Sequence, residues 1–306
     1  LLLDPQGGIE TDMYVYNAAE RLLVFLPPER AEAVAEDWAS KVFIQDVTIE
    51  DVSADLAVFG IHGPKSTEKV ASVLGGPGAP EKPLSFVRGS MVDAGVTVIA
   101  SDAPLGEEGY EVVCAADDAE AVLDTLINRG LNAAPFGYRT WDALATEAGT
   151  PLFEYELAGT VPNVLGLRNA LDFEKGCYVG QEVVSRVENQ GRPSRRLVGL
   201  DLDGLADATA AVDGDADPEG YDAVLPASGA AVFDGDEAVG EVTRAAVGPA
   251  AGDPIALALV QFDAALDGPT VRVGGEEVAA TRVDLPFPSV DGSARSARLP
   301  TYPDDR

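Results

Sequence analysis

The chain has 306 residues, enough for two or three domains with cores of their own, and 46% of them are hydrophobic, which excludes a disordered chain. Against 21 Lys and Arg stand 52 Asp and Glu, and a net charge of −31 repels nucleic acid and anionic membrane over most of the surface. No apolar run is long enough to cross a bilayer, and one histidine with two cysteines leaves no Cys/His zinc site or cysteine-ligated cluster within the chain.

In chain order, Leu1–Leu3 reads as a strand, Asp4–Gly8 as a tight turn and Ile9–Tyr16 as the return strand. The first methionine is Met13, so a natural N-terminal segment is expected before Leu1. Leu22–Leu26 is the next strand, and Pro27-Pro28 opens a helix to about Ser40 that buries Val34 and Trp38. Strands follow over Val42–Ile49 and Leu56–Phe59, then a helix over Lys65–Leu74 that His62-Gly63-Pro64 introduces. Val96–Ala100 and Tyr110–Cys114 are strands, with Cys114 read as core. Asp117 is expected to cap a helix that stops at Gly130, and Thr140–Ala148 forms another that ends at Gly149. This alternation implies α+β layers on antiparallel sheet. From Arg196 the texture becomes all-β, with short strands over Val198–Leu202, Ala230–Phe233, Val239–Thr243, Ile255–Val260, Val271–Val273 and Val278–Val283. The acidic tract at about 203–222 reads as a loop or a mobile insertion.

The densest chemistry lies in Lys175-Gly176-Cys177-Tyr178-Val179-Gly180-Gln181-Glu182, where a thiol, amine, phenol, amide and carboxylate share eight residues. Val183, Val184 and Val187 beyond it read as the start of a strand. Cys177 is either a small buried residue or a reactive thiol favoured by the ammonium of Lys175. Lys175 and Glu182 read equally as a surface ion pair, and Asp12 as a turn acid. Arg186, Arg192, Arg195 and Arg196 are the one basic cluster, read as counter-charges or as a site for an anionic tail or acidic partner. The acids run from Asp4 to Asp305 without blocks, which favours the solvated surface of a salt-loving organism's cytoplasmic protein over an acidic tail.

At this motif the sequence resembles the YgfZ-type folate-binding proteins, relatives of the glycine cleavage system T protein (aminomethyltransferase). Gly7-Gly8-Ile9-Glu10-Thr11-Asp12, His62-Gly63-Pro64, Leu105-Gly106-Glu107-Glu108-Gly109-Tyr110-Glu111 and Glu147-Ala148-Gly149-Thr150-Pro151-Leu152 resemble T-protein segments, as do Val239–Thr243, Ile255–Ala258 and Leu285–Phe287. The resemblance implies an α+β fold: a three-domain ring of the T-protein type, with two α+β domains of antiparallel sheet and a C-terminal small β-barrel. The implied domains are 1–60, the remainder of a first domain lacking about fifty residues, then 61–195, which carries the motif near its end, and 196–306, the barrel.

The resemblance also implies tetrahydrofolate, or a one-carbon derivative, as cofactor. Asp12 would face the reactive N5/N10 edge, Glu107 would hold the amino-pyrimidine ring, and Tyr110, Arg139 and Trp141 would complete the folate site. Two departures stand out. Thr11-Asp12 replaces paired aspartates, and Trp141 replaces the arginine expected at the folate's glutamate tail, with Arg139 two residues earlier as a substitute.

Two functions fit. In the first, the chain is a tetrahydrofolate-binding factor that supports iron–sulfur cluster assembly or repair in client proteins through Cys177. In the second, it is a folate-dependent aminomethyltransferase that uses Asp12 and a lipoyl carrier protein. Binding without chemistry, as a folate sensor or store, is a third. None requires a metal, nucleic acid or membrane.

Overall fold

A computed structural model of the chain describes residues 1–189, 191–206, 223–250, 252–288 and 295–302. The chain divides into two compact units: 1–2, 10–103 and 107–135 form the first, and 3–9, 104–106 and 136–306 the second. Strands β1 (Leu2–Leu3) and β2 (Ile9–Thr11) make a two-stranded sheet of their own.

In the first unit, β3 (Tyr14–Asn17) pairs antiparallel with β4 (Leu22–Phe25). A 3-10 turn over Pro28–Arg30 leads into α1 (Ala31–Ser40), which buries Val34. Then come β5 (Leu56–His62), α2 (Ser66–Val73), β6 (Phe86–Met91), β7 (Ala94–Ala100), β8 (Gly109–Ala115) and α3 (Ala119–Asn128). The four longer strands form one antiparallel sheet in the order β5-β8-β7-β6. Strand periodicity assigns its two faces. Ala94, Val96, Val98 and Ala100 join Tyr110, Val112 and Cys114 against Val70, Val122 and Leu126 of the helices. On the other face, Ile99 and Val113 meet Tyr16, Leu23 and Phe25 of the β3–β4 hairpin.

In the second unit, α4 (Tyr138–Glu147), a π-helical turn over Phe153–Leu157 and α5 (Gln181–Asn189) precede a seven-stranded antiparallel sheet. Its strands are β9 (Arg195–Asp201), β10 (Ala231–Asp234), β11 (Glu237–Val247), β12 (Pro254–Gln261), β13 (Thr270–Val273), β14 (Glu276–Ala279) and β15 (Thr281–Val283). The order is β14-β13-β10-β11-β12-β9-β15. The two edge strands are neighbours in sequence, separated by Ala280 alone, so the sheet must curl until its edges meet. The enclosed core holds Val198, Leu200, Val232, Val242, Ala256, Ala258 and Val271. This curled sheet and the α+β layers before it match the expected fold class.

Several expectations fail for physical reasons. Val42–Ile49 is not a strand: Phe43 and Ile44 are 85% and 93% exposed, and Gln45 Oε1 accepts both of their backbone N–H groups. Val183–Val187 is helical, because Val184 faces the core while Glu182 and Arg186 pair one turn apart on the outside. The expected Ile9–Tyr16 strand breaks at Asp12-Met13, and the expected Val278–Val283 strand breaks at Ala280. Helix α3 has Asp118 at its N-cap, without a side-chain cap hydrogen bond, rather than Asp117. His62 ends β5 just ahead of the expected helix, and β6 had no counterpart in the sequence reading. Of the acidic tract, Asp203–Leu205 is a 3-10 turn, and 207–222 lies outside the described residues.

Candidate functional site

The candidate residues fall into two groups, one on each unit. In the first unit, Asp12 occupies the break between β2 and β3. Thr11 beside it is fully buried, and its hydroxyl donates to the Asp12 carbonyl oxygen at 2.9 Å. The position where the T protein has its first aspartate therefore serves the backbone here. Glu107 lies in the connection between β7 and β8. Its Oε2 is buried with no hydrogen-bond partner among the described residues. Glu108, next to it, is exposed and accepts from the Thr67 hydroxyl at 2.6 Å. Tyr110 is a core residue whose hydroxyl lies 2.7 Å from Thr67 Oγ1.

A polar cluster in the same unit escaped sequence reading. Tyr14 Oη donates to Asp102 Oδ2 at 2.5 Å. His62 Nε2 stands 3.8 Å from Glu111 Oε1, with side-chain exposures of 3% and 32%. The imidazole lies across two glycines of the paired strands. A Cβ at Gly109 would come within 2.4 Å of Nδ1, and one at Gly60 within 2.7 Å of Nε2. Burial pushes His62 down to about 4. Burial, then the charge of Asp102, pushes Glu111 up to about 7. Tyr16 rises to about 12 through burial and the charges of Asp102 and Glu111. The sequence signal was present in Gly60, two residues before the one histidine, and in Asp102 breaking an apolar stretch.

In the second unit, Arg139 is exposed and Trp141 half-buried in the first turns of α4. The motif forms an exposed loop running into α5. Asp172 Oδ1 accepts the Glu174 and Lys175 amides, and Gln181 Oε1 accepts the Tyr178 amide at 3.3 Å. Lys175 Nζ sits 4.5 Å from the centre of the Tyr178 ring, a cation–π contact. Cys177 is exposed, with the side chains of Phe173 and Val179 exposed in the same loop. Gly180 has φ +80°, and a Cβ there would meet the Asp4 carbonyl oxygen at 2.6 Å. At Gly7, with φ +82°, a Cβ would meet Val183 Cβ at 2.9 Å. The two glycines thus let the Asp4–Gly8 turn lie directly on the start of α5.

The four arginines read as a cluster are dispersed onto local partners. Arg186 pairs with Glu182, Arg192 with Asp263 and Arg195 with Glu241, while Arg196 donates to the Ala264 carbonyl. The buried cation of this unit is a different one, Arg244. It is 4% exposed and lies 3.5 Å from Glu156 Oε2. Its Nη2 donates to the Thr150 carbonyl at 2.7 Å, and its guanidinium lies over the Tyr155 ring. A bulge at Thr243 turns this stretch of β11 inward, and the Thr243 hydroxyl donates to Glu156 Oε1 at 2.8 Å. Among the described residues no group of three or more His, Cys, Asp or Glu side chains is placed to hold a metal ion, and no helix is long and apolar enough to cross a membrane.

Residues 1–175 match the GCVT N-terminal domain, and residues 195–288 match the glycine cleavage T-protein C-terminal barrel domain. The chain belongs to the glycine cleavage T-protein family. Aminomethyltransferase of Geobacillus kaustophilus is 30% identical over 295 residues, which cover 94% of this chain and 75% of that protein. Aminomethyltransferase of Saccharopolyspora erythraea is 30% identical over 294 residues, with the same coverage. The crystal structure of glycine cleavage system aminomethyltransferase T from Bartonella henselae superposes with a TM-score of 0.77 at 22% identity, covering 94% of this chain and 74% of that one. The last likeness shows the T-protein fold, with its α+β layers and curled C-terminal sheet.

Proposed function

We propose that this T-protein family member binds tetrahydrofolate, or a one-carbon derivative of it, and acts as a folate-dependent aminomethyltransferase. The observation that carries this reading is the buried, unpartnered Oε2 of Glu107. A buried carboxylate oxygen is costly until a donor reaches it. The amino-pyrimidine edge of a pterin offers N–H donors suited to a carboxylate, so the residue fits the group. Asp12 is the second residue. In the family pattern it faces the reactive N5/N10 edge, where a fixed negative charge stabilises developing positive charge. With Thr11 turned to the backbone, Asp12 acts alone. In the family pattern Trp141 takes the position of the arginine for the folate's glutamate tail, with Arg139 two residues earlier as a substitute, and a lipoyl carrier protein is the partner this chemistry requires. The names of the curated relatives support the same activity.

Purified protein given methylene-tetrahydrofolate, ammonia and reduced lipoyl carrier should turn over. Asp12→Asn should slow it by about a hundredfold or more. Folate binding without turnover would sink the transferase reading alone.

The exposure of Cys177 favours a second reading, the YgfZ-type accessory factor that binds folate and supports iron–sulfur cluster assembly or repair. A thiol at the surface of a loop with exposed Phe173 and Val179 is open to a client protein, whereas Cys114 is buried in a core. On this reading Cys177→Ala keeps its folate affinity but fails to complement a strain deficient in cluster repair. Full complementation by that variant contradicts it. Both readings suit the cytoplasm of a salt-loving organism, for which the dispersed acids are adapted.

A further inference from the structure

The two carboxylates of the proposed folate site sit on segments that regular hydrogen-bond ladders do not hold. Asp12 lies in the break before β3, and among the described residues β3 pairs with β4 alone. The β3–β4 hairpin meets the larger sheet through Tyr16, Leu23 and Phe25 against Ile99, Val113 and Phe86. Such apolar contacts are non-directional, and the hairpin's turn adds a polar one, Arg88 Nη2 donating to the Ala18 carbonyl at 3.3 Å. Glu107 lies on the connection between β7 and β8, where the backbone is left-handed at Ala103 (φ 58°) and Gly106 (φ 74°).

A directional contact joins these segments. Tyr14, two residues after Asp12, donates its hydroxyl to Asp102, five residues before Glu107, at 2.5 Å. Asp102 is buried, so this bond to a carboxylate works at low local dielectric, where charge-assisted hydrogen bonds are strong and short. The turn after Asp102 is fixed in its own right, with the Ala103 amide donating to Ser101 Oγ at 3.3 Å.

We propose that the Tyr14–Asp102 hydrogen bond is a positioning clasp that sets the separation of Asp12 and Glu107, and with it the affinity for a reduced folate. Tyr14 and Asp102 are positioning residues, which touch no ligand and act through the carboxylates they hold. A ligand that bridges two carboxylates gains from both only when their spacing is set before it binds. The inference rests on the folate reading above.

The test is a titration of tetrahydrofolate onto the whole chain and its Tyr14→Phe, Asp102→Asn and doubly substituted forms, with melting temperature measured on each. Tyr14→Phe should bind about tenfold more weakly while melting within a few degrees of the parent. Asp102→Asn, which keeps an acceptor oxygen, should lose less affinity. The double form should bind no more weakly than Tyr14→Phe, because both substitutions remove the same bond. Unchanged affinity with lowered melting, or losses that add in the double form, would overturn the clasp. If Tyr14→Phe melts below the assay temperature, Asp102→Asn alone decides, and parental affinity in it overturns the clasp. No binding by the parent overturns the folate reading and the clasp together, whereas parental binding that the variants retain overturns the clasp alone.

Discussion

His62 and Glu111 face each other at 3.8 Å and change their proton affinity in opposite senses on folding. His62 falls from 6.5 to about 4, so between those values the unfolded chain binds the extra proton and stability rises with pH. Glu111 rises from 4.5 to about 7, so across that window the folded chain holds the proton and stability falls with pH. The two slopes largely cancel in the parent. Glu111→Gln should unmask the histidine, with stability climbing by about 3 kcal/mol from pH 4 to 6.5 in denaturant melts. His62→Asn should show the opposite and shallower slope, since Glu111 keeps a third of its side chain in solvent. A flat profile in both variants would refute this assignment. Arg244 makes the second residue-scale prediction. Arg244→Met leaves Glu156 buried without its cation and should cost about 3–5 kcal/mol near pH 7, and adding Glu156→Gln should recover most of that loss.

At the scale of elements, the motif's two glycines differ in kind. A Cβ at Gly176 meets nothing within 4 Å, whereas one at Gly180 meets the Asp4 carbonyl at 2.6 Å on a left-handed backbone. Gly180→Ala should therefore lose about 2 kcal/mol or more, and Gly176→Ala less than about 0.5, in parallel melts. The sequence announced both glycines but not this difference, because the partner of Gly180 lies some 175 residues earlier, in the Asp4–Gly8 turn. Pairing, within an element or between elements, also explains the misread ones. Val183, Val184 and Val187 look β-prone, yet the charges at Glu182 and Arg186 had already marked a helical turn. Phe43 and Ile44 look like strand residues, but among the described residues no strand pairs with them. Where β-branched and apolar residues were dense, as in β7 and β8, or leucine alternated with alanine, as in β12, the strands were legible almost to their ends. The buried Arg244–Glu156 pair was not legible, because neither residue alone differs from a surface charge.

At the scale of the molecule, two units each enclose a core of their own, and the chemistry divides between them. Asp12 and Glu107 belong to the first, and the exposed Cys177 loop to the second. A net charge of −31 surrounds both, so a ligand with its own carboxylates meets less repulsion in concentrated salt. The claim on which the functional account turns is that Glu107 holds a donor-rich ring. Calorimetric titration of tetrahydrofolate in molar potassium chloride, on the parent and on Glu107→Gln, tests it most directly. The account predicts saturable binding by the parent and at least about tenfold weaker binding by the variant, whose neutral amide loses the charge-assisted hydrogen bond. Equal affinity in the two proteins, or no binding by the parent, would contradict it.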